Sequence, residues 1–482
     1  MNFRAVFHLL SFLLLFTTSG KFVSWGVALA YNDPVSAQNG LLYAALISLG
    51  VGSLLWLLTR GPIDLSRRDG FGIVTFGWLT VALIGALPYT LSGVIADPVT
   101  AVFETMSGFT ATGSTAIENI EAMPYGILFW RSLTQWFGGM GIIVLAVAIL
   151  PFLGVGAMQL FSAEMAGPSK DRLTPRIEST AKLLWGVYLL LTLVAFLAFR
   201  GVGLSWFDAI NHAFTAASTG GFSTRTASIA AYDSVAVEMV FSAVILLGGM
   251  SFPLHYRALT GRPLCYARDP QTQLYLALWI GAILLVATNL FLNMDVSAGT
   301  AVRHSIFQVT TLLTSTGYVS ADYDQWPAMS RFILLCLLIS GGCAGSTAGG
   351  MKVIRIQVLI KKALREIRLF IRPHAVAQVK IGGKTVTQEI VSKVTSYFVI
   401  YMFVLAVATF VMTGYTPDLE TAFGSVLSAL GNMGPGLGAV GAMQNYAHIE
   451  AGGKLVLTLV MLLGRLEFYT VMVLFLPTFW KR

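Results

Sequence analysis

Four short glycine turns recur along the chain, and a long apolar segment follows each of them. The turns are Thr112-Gly113-Ser114, Thr219-Gly220-Gly221, Thr316-Gly317-Tyr318 and Met433-Gly434-Pro435. They lie roughly a hundred residues apart, and such a regular period indicates repetition of a structural unit. If the four copies surround one axis, their backbone carbonyl oxygens can replace the water shell of a dehydrated cation. The pattern therefore predicts a ring of four loops around a pore.

The composition places the chain in a lipid bilayer. Of its 482 residues 56% are hydrophobic and 11% are charged, whereas soluble proteins carry about 25% charged residues. A spanning helix needs roughly 20 mostly apolar residues. Ten such runs occur, at about 5–30, 38–59, 72–94, 125–152, 180–200, 234–258, 272–293, 330–350, 394–414 and 453–479. The first resembles a signal peptide, but no small-residue cleavage site follows it, which favours a true helix.

The charged residues predict the orientation of the chain in the membrane. Most of the 31 Lys and Arg residues fall in loops that share one side when ten spans alternate, as the positive-inside rule requires of cytoplasmic loops. These basic residues are Arg60, Arg67, Arg68, Lys170, Arg172, Arg176, Lys182, Arg257, Arg262, Arg268, those of the run from Lys352 to Lys384, Lys481 and Arg482. The opposite loops are acidic and contain the glycine turns. We therefore expect the turns to open to the outside, where negative charge concentrates cations.

Each unit reads as a spanning helix, a short re-entrant helix, a turn and a second spanning helix. The re-entrant segments, which are too short or too polar to cross the membrane, are Val99 to Ala111, Ser205 to Ser218, Gly299 to Ser315 and Pro417 to Asn432. Non-helical backbone at membrane depth survives only where it is buried in protein or lines water. The sequence thus predicts an all-α membrane protein with four pseudo-symmetric helix–pore-helix–helix repeats around one pore, plus two extra N-terminal transmembrane helices. The predicted boundaries are 1–70 for the extension and 71–178, 179–270, 271–390 and 391–482 for the repeats.

The residue types at the turns suit cation binding. Carbonyls that converge on an axis need backbone angles that a Cβ atom would obstruct, so glycine is required there. A single Thr-Gly pair usually marks an ordinary loop, but four glycine turns between matched elements, three of them with Thr-Gly, favour a filter. The candidate filter residues are Thr112, Gly113, Thr219, Gly220, Thr316, Gly317, Asn432, Met433 and Gly434.

A second glycine motif follows each turn and is broken in the fourth copy. Gly138-Gly139, Gly248-Gly249 and Gly341-Gly342 are matched by Gly464-Arg465. A charge within a membrane helix is costly and usually functional. Arg465 either pairs with Glu467 or a carbonyl at a helix interface, or projects into the conduit as a positive barrier that limits cation flow.

The third unit carries a glycine-rich interruption. Five glycines occur between residues 341 and 350, and glycine costs about 1 kcal/mol per helical position relative to alanine. We expect the helix to break here and to leave a loop at mid-membrane depth under the third turn. The loop is either an intramembrane gate or a site of close packing.

At these residues the chain resembles the Trk/Ktr/HKT superfamily of cation transporters, most closely its TrkH and TrkG branch. The resemblance implies potassium uptake across the bacterial inner membrane, with rubidium also permeant, and the filter mouth facing the periplasm. It implies a homodimer and a cytosolic TrkA-type regulatory ring that binds ATP, ADP or NAD(H). By the same resemblance, Gly113, Gly220, Gly317 and Gly434 are the filter glycines, and the gate consists of Gly345, Ser346, Gly349, Lys352 and Arg465. No cofactor is expected on this chain, and potassium is its substrate.

The sequence also bears on alternative functions. An intramembrane enzyme would need a nucleophile and base, a metal cluster or paired acids in the bilayer, and the sequence offers none of these patterns. The net charge of +8 is explained by the cytoplasmic loops, so no nucleic-acid partner is expected. The basic segment 352–384 either contacts anionic lipid or receives the regulatory ring. A gated channel is favoured over a proton- or sodium-coupled symporter, because the four units share one orientation around one axis.

Overall fold

The computed structural model describes residues 1–61, 66–139, 141, 177–375 and 377–480, which are overwhelmingly helical. Among these residues six helices are long and apolar enough to cross a membrane, or up to eight if each of two bent helix pairs counts as one span. The predicted all-α multi-pass membrane fold is confirmed. The expected run at 125–152 lies partly outside the described residues, as do Lys170, Arg172 and Arg176 of the basic loop before the second repeat.

Two long helices precede the repeats. They are α1 (Phe3–Ala30) and α2 (Val35–Leu58). Both are apolar and pack on each other through small and polar residues. Lys21 of α1 is fully buried, and its Nζ donates to Ser48 Oγ of α2 at 2.5 Å. The expected pair of extra N-terminal helices is thus present as a packed hairpin.

The first two repeats follow. The helices of the first are α3 (Arg67–Gly85), α4 (Leu87–Leu91), α5 (Pro98–Phe109) and α6, whose described part covers 125–139. Those of the second are α7 (Ile177–Gly201), α8 (Trp206–Ala217), a 3₁₀ turn at Ser228–Tyr232, α9 (Val235–Gly248), α10 (Phe252–Leu259) and α11 (Cys265–Arg268). Helices α9 and α10 meet at 99°.

The last two repeats share this order. The third contains α12 (Pro270–Asn293), α13 (Ala298–Leu313), a 3₁₀ turn at Tyr323–Gln325, α14 (Ala328–Ser340), α15 (Val353–Ile371) and the antiparallel pair β1 (Lys380–Ile381) and β2 (Lys384–Thr385). The fourth contains α16 (Gln388–Met412), α17 (Leu419–Gly431), a 3₁₀ turn at Gly438–Val440, α18 (Ala451–Arg465), α19 (Tyr469–Met472), a 3₁₀ turn at Val473–Phe475 and α20 (Pro477–Trp480). Our numerical repeat boundaries stay a prediction.

The four short helices α5, α8, α13 and α17, called pore helices from here on, begin in the same way. Each starts after a residue whose side chain accepts a hydrogen bond from a backbone N–H of the first turn, namely Asp97, Ser205, Ser297 and Asp418. Such N-caps satisfy donors that have no partner within the helix. The caps fix where each helix starts, so its C-terminal end, with its partial negative charge, faces the glycine turn.

The glycine-rich interruption stands where it was expected. Helix α14 ends at Ser340 and α15 begins at Val353, so the apolar run 330–350 is not one continuous helix. We call residues 341–352 the glycine-rich loop. Gly341, Gly345 and Gly350 have φ values of 65°, 75° and 74°, a left-handed conformation that glycine adopts without strain. The glycines thus both break the helix and supply the backbone angles of the loop.

Candidate functional site

The four glycine turns begin with the same backbone conformation and diverge at their third residue, where Gly113, Gly221 and Gly317 have positive φ and Gly434 does not. Within two residues of its end, each pore helix is followed by a residue with φ near +50°; these residues are Ala111, Thr219, Ser315 and Asn432. The next residue in each turn donates its N–H to the backbone carbonyl oxygen of a serine or threonine in the pore helix. The pairs are Thr112 to Ser107, Gly220 to Thr215 and Thr316 to Thr311, each at 2.8 Å, and Met433 to Ser428 at 2.9 Å. Because this hydrogen bond recurs in all four turns, it shows which residues of one repeat are equivalent to those of another.

The equivalence differs from the one that the Thr-Gly pairs suggest in the second repeat. Matching the pairs aligns Gly220 with Gly113. By backbone conformation, however, Gly220 is equivalent to Thr112 and Gly221 is equivalent to Gly113. Gly221 has φ +81°, close to +90° at Gly113 and +86° at Gly317. The reason is that Thr219 itself takes the left-handed position that ends the helix, which sequence matching cannot detect.

The turns meet in a closed ring, in chain order. A Cβ atom added to Gly113 would collide with the carbonyl oxygen of Gly220, and one added to Gly221 would collide with that of Thr316. One on Gly317 would lie 2.9 Å from the Gly434 nitrogen, and one on Gly434 would lie 2.8 Å from the Gly113 oxygen. The first turn therefore touches the second, the second the third, the third the fourth, and the fourth the first.

The fourth turn differs in its side chains. Asn432 occupies the left-handed position and donates from Nδ2 to Thr112 Oγ1 at 3.1 Å and to the carbonyl of Met461 at 2.9 Å. It thereby ties the fourth turn to the first turn and to α18. Met433, which is fully buried, replaces the threonine of the first and third turns.

A buried ion pair connects the segments around the first and second turns. Arg131 Nε lies 2.7 Å from Glu104 Oε1, with side-chain exposures of 2% and 0%. Glu104 also accepts from the backbone of Ala116 at 2.9 Å, and Arg131 donates to the carbonyl of Ser223 at 2.9 Å. A buried charge is tolerated only when it is paired and hydrogen-bonded. The pair links pore helix α5, helix α6 and the segments that follow both turns.

Gln135 of α6 makes the second connection to the ring. Its Nε2 donates to the Gly220 carbonyl at 2.7 Å, and its Oε1 accepts from the Phe222 N–H at 3.0 Å. The amide therefore spans the second turn on both sides of Gly221. Sequence reasoning missed Glu104, Arg131 and Gln135, although a charged or amide side chain within an apolar segment is itself a signal of function.

The glycine-rich loop packs against the turns and the C-terminal ends of the pore helices. Thr347 Oγ1 lies 3.1 Å from the Ala217 carbonyl, Gly349 N–H donates to Ser315 Oγ, and Gly350 N–H donates to the Gly431 carbonyl at 2.9 Å. The loop thus contacts the ends of three pore helices.

Other predicted gate residues hold the loop together. The Gly345 carbonyl accepts from Phe252 N–H at 2.9 Å, and Ser346 Oγ donates to the Cys343 carbonyl at 2.6 Å. Lys352, with φ +73°, donates from Nζ to the Ala348 carbonyl. The loop is therefore an ordered, largely buried segment.

Arg465 joins the glycine-rich loop to the first repeat. Its Nη1 donates to the Thr347 carbonyl at 3.1 Å, and its Nη2 donates to the Gly138 carbonyl at 3.2 Å. The residue is 5% exposed. Glu467, one of the two partners considered for it, instead pairs with Arg355 of α15. The carbonyl partner, the other one considered, is thus the one observed, and one of the two carbonyls belongs to the loop.

The segment after the third glycine turn places a carboxylate with a shifted pKa beside the fourth repeat. Asp324, in the 3₁₀ turn after the third glycine turn, accepts from the Ala442 N–H at 3.2 Å. Burial, followed by the nearby carboxylates of Asp322 and Glu420, raises the pKa of Asp324 to about 6. This group therefore titrates near neutral pH at a contact between the third and fourth repeats.

Comparison with known proteins defines the class. The family model TrkH, described as a cation transport protein, matches residues 38–482. The chain is 41% identical to the Trk system potassium uptake protein TrkH of Halomonas elongata and 40% identical to that of Escherichia coli K12, each over all of both chains. It is 34% identical to TrkG of Escherichia coli K12 over 99% of both.

A solved structure shows the same architecture. The crystal structure of the potassium transporter TrkH from Vibrio parahaemolyticus superposes with a TM-score of 0.91 at 35% identity and covers all of both chains. The ring of glycine turns and the multi-pass helical fold belong to a membrane cation transport protein. The chain is a member of the TrkH family, as its sequence resemblance indicated.

Proposed function

We propose that this protein carries potassium ions into bacterial cells through one pore formed by its four repeats. The observation that carries the proposal is the closed ring of glycine turns, each at the C-terminal end of a capped pore helix. Its relatives from Halomonas elongata and Escherichia coli are named potassium uptake proteins, which supports potassium as the ion.

The proposed filter uses backbone oxygens. Carbonyl groups of the turns replace the hydration shell of the ion, and the pore helices direct the negative ends of their dipoles toward it. The residues assigned to this role are Thr112, Gly113, Thr219, Gly220, Thr316, Gly317, Asn432, Met433 and Gly434, to which the ring geometry adds Gly221. Rubidium, which is similar in size, is expected to permeate.

The proposed gate is the glycine-rich loop with Arg465. The loop contacts three pore-helix ends, and its Thr347 carbonyl is held by the guanidinium. A loop in this position obstructs the inner side of the ring, so conduction requires it to move. Opening would break the bond between Arg465 and Thr347, and the positive charge would then face the conduit.

Regulation is assigned to a cytosolic partner. By family resemblance, this partner is a TrkA-type ring that binds ATP, ADP or NAD(H), and the transporter is a homodimer in the inner membrane with basic loops in the cytoplasm. The amphipathic helix α15 continues directly from the glycine-rich loop. A partner that moves α15 would therefore move the loop.

A channel-like mechanism is preferred to coupled symport. Alternating-access transporters typically place two inverted repeats around a midplane site, whereas four units here meet in a single ring. The membrane potential alone supplies about 2.3 kcal/mol per charge per 100 mV. Proton- or sodium-coupled symport is the alternative.

The test is flux in reconstituted liposomes. Potassium-loaded vesicles containing the purified protein should take up rubidium, with lower uptake of sodium and lithium, and a candidate regulator with ATP or ADP should change the rate. Absence of rubidium uptake with and without the regulator would refute the proposal. A reversal potential that shifts with an imposed pH gradient would favour proton symport over a channel.

A further inference from the structure

We propose that the hydroxyl groups of Ser114 and Tyr446 withhold the Gly434 carbonyl from the permeating ion and so determine ion preference on the fourth side of the ring. This inference rests on the proposed function, because it assigns a role within the same filter. The two residues are positioning residues that act through the carbonyl.

The carbonyl oxygen of Gly434 has three hydroxyl neighbours. Ser428 Oγ lies 2.9 Å away, Tyr446 OH 3.0 Å and Ser114 Oγ 3.1 Å. All three side chains are buried. They come from pore helix α17, from the loop before α18 and from the first turn, so three separate segments converge on one oxygen.

A count of protons assigns the bonds. Each hydroxyl has one proton to donate, and a carbonyl oxygen accepts through two lone pairs. Ser428 Oγ is also in contact with the Met433 carbonyl, and Tyr446 OH lies 3.2 Å from Ser428 Oγ but 3.0 Å from the Gly434 oxygen. We assign the Ser428 proton to Met433 and the Tyr446 proton to the nearer carbonyl oxygen. Ser114 and Tyr446 then donate to Gly434. Both lone pairs of the Gly434 oxygen are used by protein, and none is directed at an ion.

The other three repeats lack this arrangement. Within the described residues no hydrogen bond is made to the carbonyl oxygens of Gly113, Gly221 or Gly317, which occupy the position of Gly434. The residues equivalent to Ser428 are Ser107, Thr215 and Thr311.

The side chains of these equivalent residues behave differently from that of Ser428. The hydroxyls of Ser107 and Thr311 are buried without a hydrogen-bond partner, and Thr215 Oγ1 is hydrogen-bonded to Tyr318 OH at 2.5 Å. In the fourth repeat alone, among the turns that the structure describes, the hydroxyl at this position reaches the carbonyls of its turn. We call the two hydroxyls of Ser114 and Tyr446 on the Gly434 oxygen the clamp. The clamp is therefore a specific feature of the fourth turn.

The chemical consequence concerns the number of ion ligands. At the level of Gly434 a permeating ion meets three unengaged carbonyls and one that is already saturated. Fewer carbonyl dipoles weaken the preference for potassium, since the number and field strength of these dipoles govern selectivity in one account of such filters. The clamp thus lowers discrimination against sodium, and freeing the carbonyl should raise it.

The experiment compares Tyr446→Phe with wild type in liposomes, by measuring the sodium-to-potassium permeability ratio from reversal potentials. The variant keeps the ring and removes one donor. We expect the ratio to fall about threefold or more, a change of the size of one modest hydrogen bond. Ser114→Ala, which removes the other donor to the same oxygen, should shift the ratio in the same direction and serves if Tyr446→Phe does not fold.

Matched controls separate this role from general packing. Tyr401 in α16 has a buried hydroxyl without a partner, so Tyr401→Phe should leave the ratio within about twofold of wild type. A ratio that is unchanged or higher in Tyr446→Phe and Ser114→Ala, or that falls equally in Tyr401→Phe, would overturn the inference. Wild-type vesicles that carry no potassium would instead refute the proposed function itself.

Discussion

The Arg465 guanidinium and the Thr347 carbonyl are joined by a 3.1 Å hydrogen bond between α18 and the glycine-rich loop. The same side chain donates to Gly138 at 3.2 Å. One residue of the fourth repeat thus fastens the loop of the third repeat to the helix of the first. We call the hydrogen bond from Arg465 to the Thr347 carbonyl the latch, because it holds the loop in this position.

Replacing Arg465 with alanine should therefore raise ion flux. Hydrogen bonds to charged groups contribute roughly 1.5–3 kcal/mol each, so losing the bond to the loop should increase the open population about tenfold or more. Rubidium uptake into liposomes measures the effect. Arg331→Ala, which removes a half-exposed arginine of the outer surface, is the control. Equal uptake by the wild type and Arg465→Ala would contradict the latch.

The register of the second turn can be tested with two neighbouring glycines. Alanine at Gly221 would place a Cβ against the Thr316 backbone carbonyl at φ +81°, whereas alanine at Gly220, which has no positive φ, would meet the side-chain amide of Gln135, with no backbone atom among its three nearest neighbours. A left-handed conformation alone costs an L-residue about 1–2 kcal/mol. We expect Gly221→Ala to reduce rubidium uptake about tenfold or more and Gly220→Ala to reduce it less.

Gly281→Ala is the control for this pair, because a Cβ there meets no atom within 4 Å. It should retain wild-type uptake. If Gly220→Ala proves the more damaging of the two turn substitutions, the backbone equivalence of Gly221 with Gly113 does not describe the conducting state.

The buried pair of Glu104 and Arg131 should matter for stability. Glu104→Gln leaves the guanidinium buried without its counter-charge, and breaking a buried pair in this way costs about 3–5 kcal/mol. Thermal unfolding in detergent should show a clear fall in Tm. Glu420→Gln removes the partner of Arg331 in a surface pair at 3.3 Å, which is worth about 0–1 kcal/mol. Similar Tm values for the two variants would argue against a supporting role for the buried pair.

Asp324 should make the outer contact of the third and fourth repeats sensitive to pH. Folding raises its pKa from 3.8 to about 6, so the folded protein holds the proton more tightly than the unfolded chain. The stabilising effect of protonation is complete below the unfolded pKa and is lost as the pH rises through 6. The contribution of Asp324 should therefore give the wild type a higher Tm at pH 5 than at pH 8.

Asp324→Asn should reduce that difference in Tm, because the amide does not titrate. Asp418→Asn is the control: hydrogen bonds from Thr421 hold the pKa of Asp418 below its usual value, so it stays ionised across this range. Its substitution should change Tm equally at both pH values. A pH dependence that is identical in wild type and Asp324→Asn would exclude Asp324 as its source.

Much of the architecture depends on local chemistry and can therefore be predicted from the sequence. Apolar runs long enough to cross a bilayer predict spans. Polar capping residues at Asp97, Ser205, Ser297 and Asp418 start the pore helices, and glycines clustered after Ser340 end α14. These signals depend on neighbours along the chain, as does the family resemblance.

Tertiary structure alone decided which groups meet across the ring. Gly221 and not Gly220 is the structural equivalent of Gly113, because Thr219 takes the left-handed position after the pore helix, which sequence matching cannot detect. The Gly138 partner of Arg465 lies 327 residues away along the chain, and Ser114, which donates to the Gly434 carbonyl beside Tyr446 of the same repeat, lies 320 residues away. No local pattern specifies such contacts, since they arise only when four similar units close around one axis.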